Sequence, residues 1–170
     1  MEDKLLYWFA AKTKPRQEKF IKDKLNGLAI ENFIPLRMEL RQWKYRKKKV
    51  IVPVIPQLNL SYTKYASGFQ LLNENRLHIW YMKDLATNRN LIVPDKQMED
   101  FMMAINAKKG NMRIINPDLA KGDKVVVKGG PFKGLEGELL RVEEKSRVVV
   151  NLQGIIAVSV EIEGQFLEKI

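Results

Sequence analysis

The spacing of apolar positions changes character twice along the chain, and each change predicts a different kind of element. Leu5 to Ala11 is a short apolar and aromatic stretch bounded by Lys12-Thr13-Lys14-Pro15, which predicts a buried strand. Thr13 is placed to cap the helix that follows, with Pro15 tolerated in its first turn. Phe20, Ile21, Leu25 and Leu28 mark one helical face, and Asn26-Gly27 offers a stop. Ile30 to Gln42 and Lys48 to Ile55 read as strands, the second rich in valine and isoleucine. Pro53 and Pro56 push the end of that second strand towards an edge or a bend. Leu58 to Tyr62 and Leu77 to Tyr81 predict two further short strands, and Tyr65, Phe69 and Leu72 have the spacing of a short helix. Pro94-Asp95 opens a last helix, whose Met98, Phe101, Met102 and Ile105 form one apolar stripe that reads as core.

Beyond residue 117 the helical period disappears. Lys124 to Val127, Glu138 to Val142, Arg147 to Leu152, Ile155 to Val160 and Gln165 to Glu168 are short strands separated by turn residues, the signature of a small β-barrel. The stretch between, Asn106 to Pro117, is polar at its start, contains Gly and Asn, and ends in Asn-Pro. The expected organisation is therefore a domain at 1–106, a linker at 107–117 on which Ile114 and Ile115 dock, and a domain at 118–170. The expected class is α+β: an N-terminal α/β sandwich with helices on a mostly antiparallel sheet, then the barrel.

Charge sharpens this division. The 170 residues carry a net charge of +10. Residues 1–115 hold 22 basic and 11 acidic side chains, whereas residues 116–170 hold 8 and 9. A protein that coated nucleic acid uniformly would not divide this way; two modules with different partners would. The rest of the composition mainly excludes. There are no cysteines, so thiol catalysis and cysteine metal sites are absent, and the only histidine, His78, reads as a bystander in a strand. No apolar run approaches the ~20 residues of a membrane span, and the first residues lack the pattern of a secretory signal. A cytoplasmic protein without cofactor, metal or membrane partner is expected. No nucleophile is assembled with a base, so no enzyme is expected either.

Between the first two barrel strands lies Gly129-Gly130-Pro131-Phe132-Lys133-Gly134-Leu135-Glu136-Gly137. It lacks the Gly-Lys-Ser/Thr ending of a phosphate loop, and no helix follows to aim its dipole at a phosphate. A β-arch with Phe132 projecting from the turn is the better reading. Val125 to Gly137 resembles the KOW motif of the bacterial transcription factor NusG, and Val142 to Val148 resembles that family's second hairpin. Trp8 to Lys19 and Ile34-Pro35-Leu36 are similar to the opening of the NusG N-terminal domain. Arg41 to Lys49 resembles the specialised paralogues that serve as operon-specific antiterminators. The resemblance implies a factor that binds RNA polymerase through its N-terminal domain, with Trp8, Phe9, Leu58, Leu60 and Tyr62 as the expected contacts. Family members usually carry aromatics where Leu58 and Leu60 stand. It also implies a KOW domain that recruits a protein, among them a small-subunit ribosomal protein or the termination factor Rho, through Gly130, Pro131, Phe132, Lys133 and Gly134.

Arg37 to Lys49 holds seven cations against Glu39. As a β-hairpin it would reach towards the nucleic acid of the elongation complex, with Arg41, Trp43, Lys44, Arg46, Lys47, Lys48 and Lys49 as the contacts. Lys47 and Lys49 share one strand face, and Lys48 takes the other. The alternative to a polymerase factor is a ribosome-associated or general RNA-binding KOW protein. That class should carry its positive charge on the barrel, which here nets −1.

Overall fold

The computed structural model describes residues 6–64, 76–107, 111–117 and 122–170, and it divides into two compact units, Met1–Ile92 and Val93–Ile170. In the first run β1 (Leu6–Thr13), α1 (Glu18–Gly27), β2 (Glu31–Phe33), β3 (Leu36–Gln42), β4 (Lys47–Pro53), β5 (Leu58–Lys64) and β6 (Ile79–Tyr81), with β7 (Ile92–Val93) at its end. The expected helix around Tyr65, Phe69 and Leu72 lies outside the described residues.

β1 is central, with strands paired along both of its edges. Trp8, Phe9, Ala10 and Ala11 are all buried, so it needs neighbours on both sides and cover on both faces. β5 pairs antiparallel on one side and β6 on the other, giving the order β2-β5-β1-β6. The amphipathic face of α1 buries Ile21 and Leu25 with Ile34 and Leu77, against Ile79 and Tyr81 of the sheet. Burial pushes the Tyr81 phenol up to about 12.

Two local expectations are corrected. Thr13 does not cap α1: pairing of Thr13 with Ile79 keeps it extended, and a turn closed by Gln17 N–H to the Lys14 carbonyl (3.2 Å) precedes the helix. At the other end α1 stops at Gly27 as expected, with Ala29 rather than the glycine in the left-handed position. A Schellman turn uses Ala29 at φ 55°, with Ile30 N–H on the Leu25 carbonyl (2.9 Å) and Ala29 N–H on the Asn26 carbonyl (3.1 Å). The single strand expected over Ile30 to Gln42 is two. Pro35 has no N–H to donate and breaks the ladder, so β2 stays in the main sheet while β3 leaves to pair with β4.

The second unit holds α2 (Asp95–Ile105), β8 (Met112–Ile115), β9 (Lys124–Val127), β10 (Glu136–Val142), β11 (Lys145–Leu152), β12 (Ile156–Glu161), a 3-10 turn at Gly164–Phe166 and β13 (Leu167–Lys169). The strands form one antiparallel sheet in the order β13-β9-β10-β11-β12-β8. Val125, Val127, Leu135, Val148, Val150, Leu152, Val158 and Val160 are its buried core. α2 lies against β11 and β12, burying Met98, Phe101, Ala104 and Ile105, with Met102 half-buried. The apolar stripe is thus core. β8 adds a sixth strand along β12, opposing Ile114 to Val158 and Ile115 to Ala157. Arg147 fastens its approach: the buried guanidinium donates to Ser159 Oγ (3.0 Å), the Ser159 carbonyl (3.0 Å) and the Asn111 carbonyl (2.8 Å).

The expected arch at Gly129–Gly137 is a hairpin turn, because β9 and β10 are antiparallel neighbours in one sheet. Gly134, at φ 93°, lets the chain return so that its N–H reaches the Val127 carbonyl (2.8 Å).

Candidate nucleic-acid interface

The basic run folds as the β3–β4 hairpin. Seven opposed pairs, from Leu36 against Pro53 to Gln42 against Lys47, carry it away from Pro35. Its loop is closed by reciprocal backbone bonds between Trp43 and Arg46 (2.7 and 3.3 Å), which leave Lys44 and Tyr45 at the tip. Every residue from Leu40 to Lys49 is exposed. Like charges this dense repel one another, and aromatic faces relieve some of that. Lys48 Nζ lies 5.4 Å and Arg46 Cζ 5.8 Å from the Trp43 ring, and Lys44 Nζ lies 5.4 Å from the Tyr45 ring. Glu39 sits between two guanidiniums, 3.9 Å from Arg37 and 3.5 Å from Arg41.

Directly opposed residues share a face of an antiparallel pair. One face therefore carries Arg37, Glu39 and Arg41 with Lys48, Val50 and Val52; the other carries Met38, Leu40 and Gln42 with Lys47, Lys49 and Ile51. At the base of the hairpin a groove of about 740 Å³ runs between the first face and the β1–α1 connection. Arg37, Glu39 and Arg41 line it from the hairpin, Arg16 from the connection and Lys19 from the first turn of α1. Arg16 is held at φ 66°. Glu18, also in the lining, is buried and accepts the Gln57 N–H at 3.0 Å. Arg16 and Lys19 are not legible as part of this cluster because about twenty residues separate them from Arg37 until the chain folds; Arg37 and Arg41 are visible at i and i+4 of one strand.

The residues expected at the polymerase contact are brought together only in part. Trp8, Leu58, Leu60 and Tyr62 share one face of the main sheet, with Trp8 opposite Tyr62 and the rings 5.2 Å apart. Phe9 points to the other face, where it meets Tyr81 edge-on at 5.9 Å. Trp8, Leu58 and Leu60 are buried, and Tyr62 is half-buried. The polar residues between them, Asn59, Ser61 and Thr63, are buried as well.

In the second unit the turn from Gly130 to Gly134 is exposed apart from Phe132, which is half-buried. α2 touches this turn through Lys96, whose ammonium donates to the Gly134 carbonyl (2.9 Å) and to Asp100 Oδ1 (2.6 Å). Burial pushes the Asp100 carboxyl above the usual carboxylate range, and the Lys96 bond only partly offsets this. Among the described residues no group of three or more His, Cys, Asp or Glu is placed to hold a metal ion, and no helix is long and apolar enough to cross a membrane.

No curated protein matches the chain. A solved structure described as "Domain interaction in Thermotoga maritima NusG" matches at a TM-score of 0.48 and 17% identity, covering 97% of each chain. The KOW motif model matches residues 121–151, which span β9, β10 and most of β11. The model of the family described as "Transcription termination factor nusG" matches residues 6–102, more than half of the length and all of the hairpin. The chain is a member of the NusG family of transcription factors.

Proposed function

We propose that this chain is an elongation or antitermination factor of the specialised NusG type. Its N-terminal unit binds RNA polymerase and presents the β3–β4 hairpin to the nucleic acid of the elongation complex, and its KOW turn recruits a protein. The observation that carries this reading is the division of labour in charge and exposure. The cations are concentrated on a hairpin of the first unit, while the KOW turn offers Pro131, a half-buried Phe132 and a single lysine. A bridge of this kind acts by differential binding, since it stabilises only the polymerase state that presents both anchor sites. The Trp8–Tyr62 face is the proposed polymerase contact, with Tyr62 its accessible member. A small-subunit ribosomal protein or Rho is the proposed partner of Gly130 to Gly134.

Co-purification of the full chain with RNA polymerase, with and without a nucleic-acid scaffold, tests this. Retention on polymerase, strengthened by the scaffold, is expected. Failure to bind polymerase in either form, together with binding to ribosomes, would overturn it in favour of a ribosome-associated KOW protein.

A further inference from the structure

The two faces of the hairpin are not equivalent. Six cations belong to one side of it: Arg41 and Lys48 opposed in register, Arg46 beside the Trp43 ring, Arg37 further down the strand, and Arg16 and Lys19 across the groove. The Trp43 ring belongs to this side too, because Lys48, whose side chain stands on this face, lies over it. The opposite side offers two cations, Lys47 and Lys49, beside Met38, Leu40 and Ile51, which are 64%, 58% and 50% exposed. A polyanion gains nothing from covering that apolar triad, whereas it gains a counterion-release contribution from each cation it meets on the first side.

We propose that a single-stranded nucleic acid crosses the Arg41–Lys48 face, with a base against Trp43, and continues into the groove between Arg37 and the Arg16–Lys19 turn. This rests on the reading that the hairpin meets nucleic acid, and it names the path. The strand from Trp43 to Arg37 spans roughly 20 Å at the rise of a β-strand, so the ring at the tip and the groove at the base serve different nucleotides of one strand. The acids along the path do not close it. Glu18 is turned inward onto the Gln57 N–H, and Glu39 is shared between Arg37 and Arg41. Trp43 sets the preference for single strands, because only an unstacked base exposes a face to it. Val50 and Val52 in the groove lining have apolar side chains that suit sugar and base edges and offer no bond donor, so no strong sequence choice is expected.

The test is fluorescence anisotropy of the full chain with labelled oligo(dT), oligo(U) and a duplex of equal length, across a range of salt. Arg41→Gln with Lys48→Gln, and Arg16→Gln with Lys19→Gln, should each flatten the log-affinity versus log-salt slope by about 1.4 on a single strand, ~0.7 for each cation removed. Lys47→Gln with Lys49→Gln should leave the slope within about 0.3 of the wild type, far below that per-cation step. Trp43→Ala should weaken single-strand binding about tenfold with the slope retained. Preference for oligo(U) or for oligo(dT) assigns the strand to RNA or DNA and supports the path either way. The path is overturned if the Lys47/Lys49 pair matters as much as Arg41/Lys48, if Arg16/Lys19 is silent, or if duplex binds as well as single strand. A wild-type chain that binds none of the three probes overturns the nucleic-acid reading itself.

Discussion

The β3–β4 hairpin and the β10–β11 hairpin share antiparallel pairing but differ in burial. In β11 three consecutive valines, Val148, Val149 and Val150, are buried, so both faces of the strand are covered. In β3–β4 even Met38, Leu40 and Ile51 are exposed. Side chains of the β10–β11 hairpin are thus set by packing, and those of β3–β4 are set by little except the turn and the backbone ladder. A surface that contributes little to stability is free to be chosen for what it binds.

The comparison is broken most easily by large-to-small changes. Leu152→Ala, in the core of the second unit, should lower the unfolding free energy by ~2–5 kcal/mol in urea titration. Leu40→Ala on the hairpin should change it by no more than ~0.5 kcal/mol. Comparable losses at both positions would show that the hairpin is packed after all. Gly137→Ala probes the same contrast through the backbone. A Cβ there meets the Val149 carbonyl and the Val148 side chain, so overpacking of ~1–3 kcal/mol is expected, read as a lower thermal midpoint.

Trp43→Ala should do the reverse. Its effect is expected in binding, ~1–3 kcal/mol on a single strand, with the thermal midpoint unmoved. A shifted midpoint would place the ring in the fold rather than at its surface. The smallest effect is expected from Asp100. Its raised folded pKa means that the protonated carboxyl is favoured by folding. That contribution is fully present below the unfolded value near ~3.9 and is lost as pH rises through the folded pKa. Asp100→Asn should therefore flatten this part of the urea midpoint against pH, and an unchanged profile would remove Asp100 from the account.

What was legible in the sequence follows the same division. The valine-rich strands of the second unit and the Met98–Ile105 stripe announced themselves because burial selects residue type strongly, and the structure puts them in the core. In β5 the alternation is less informative: Leu58 and Leu60 are buried, and so are the polar Asn59, Ser61 and Thr63 between and beside them. Thr13 has the chemistry of a cap, yet cross-strand pairing overrode it. At the hairpin, the alternation of Lys47, Lys48 and Lys49 was visible in one dimension. The side on which Trp43 and Arg16 join them depends on register and on a contact between residues far apart in sequence.

The β3–β4 ribbon stands as a sheet of two strands among the described residues, so each strand has an outer edge. An open edge next to exposed Met38, Leu40 and Ile51 is a template on which another copy of the same ribbon can add. Mutual repulsion among Arg46, Lys47, Lys48 and Lys49 is what keeps such copies apart, and it weakens as salt rises. The density of cations is thus a colloidal safeguard as well as the proposed binding surface. Variants stripped of all four should scatter light at concentrations where the wild-type chain stays clear, long before any loss of fold.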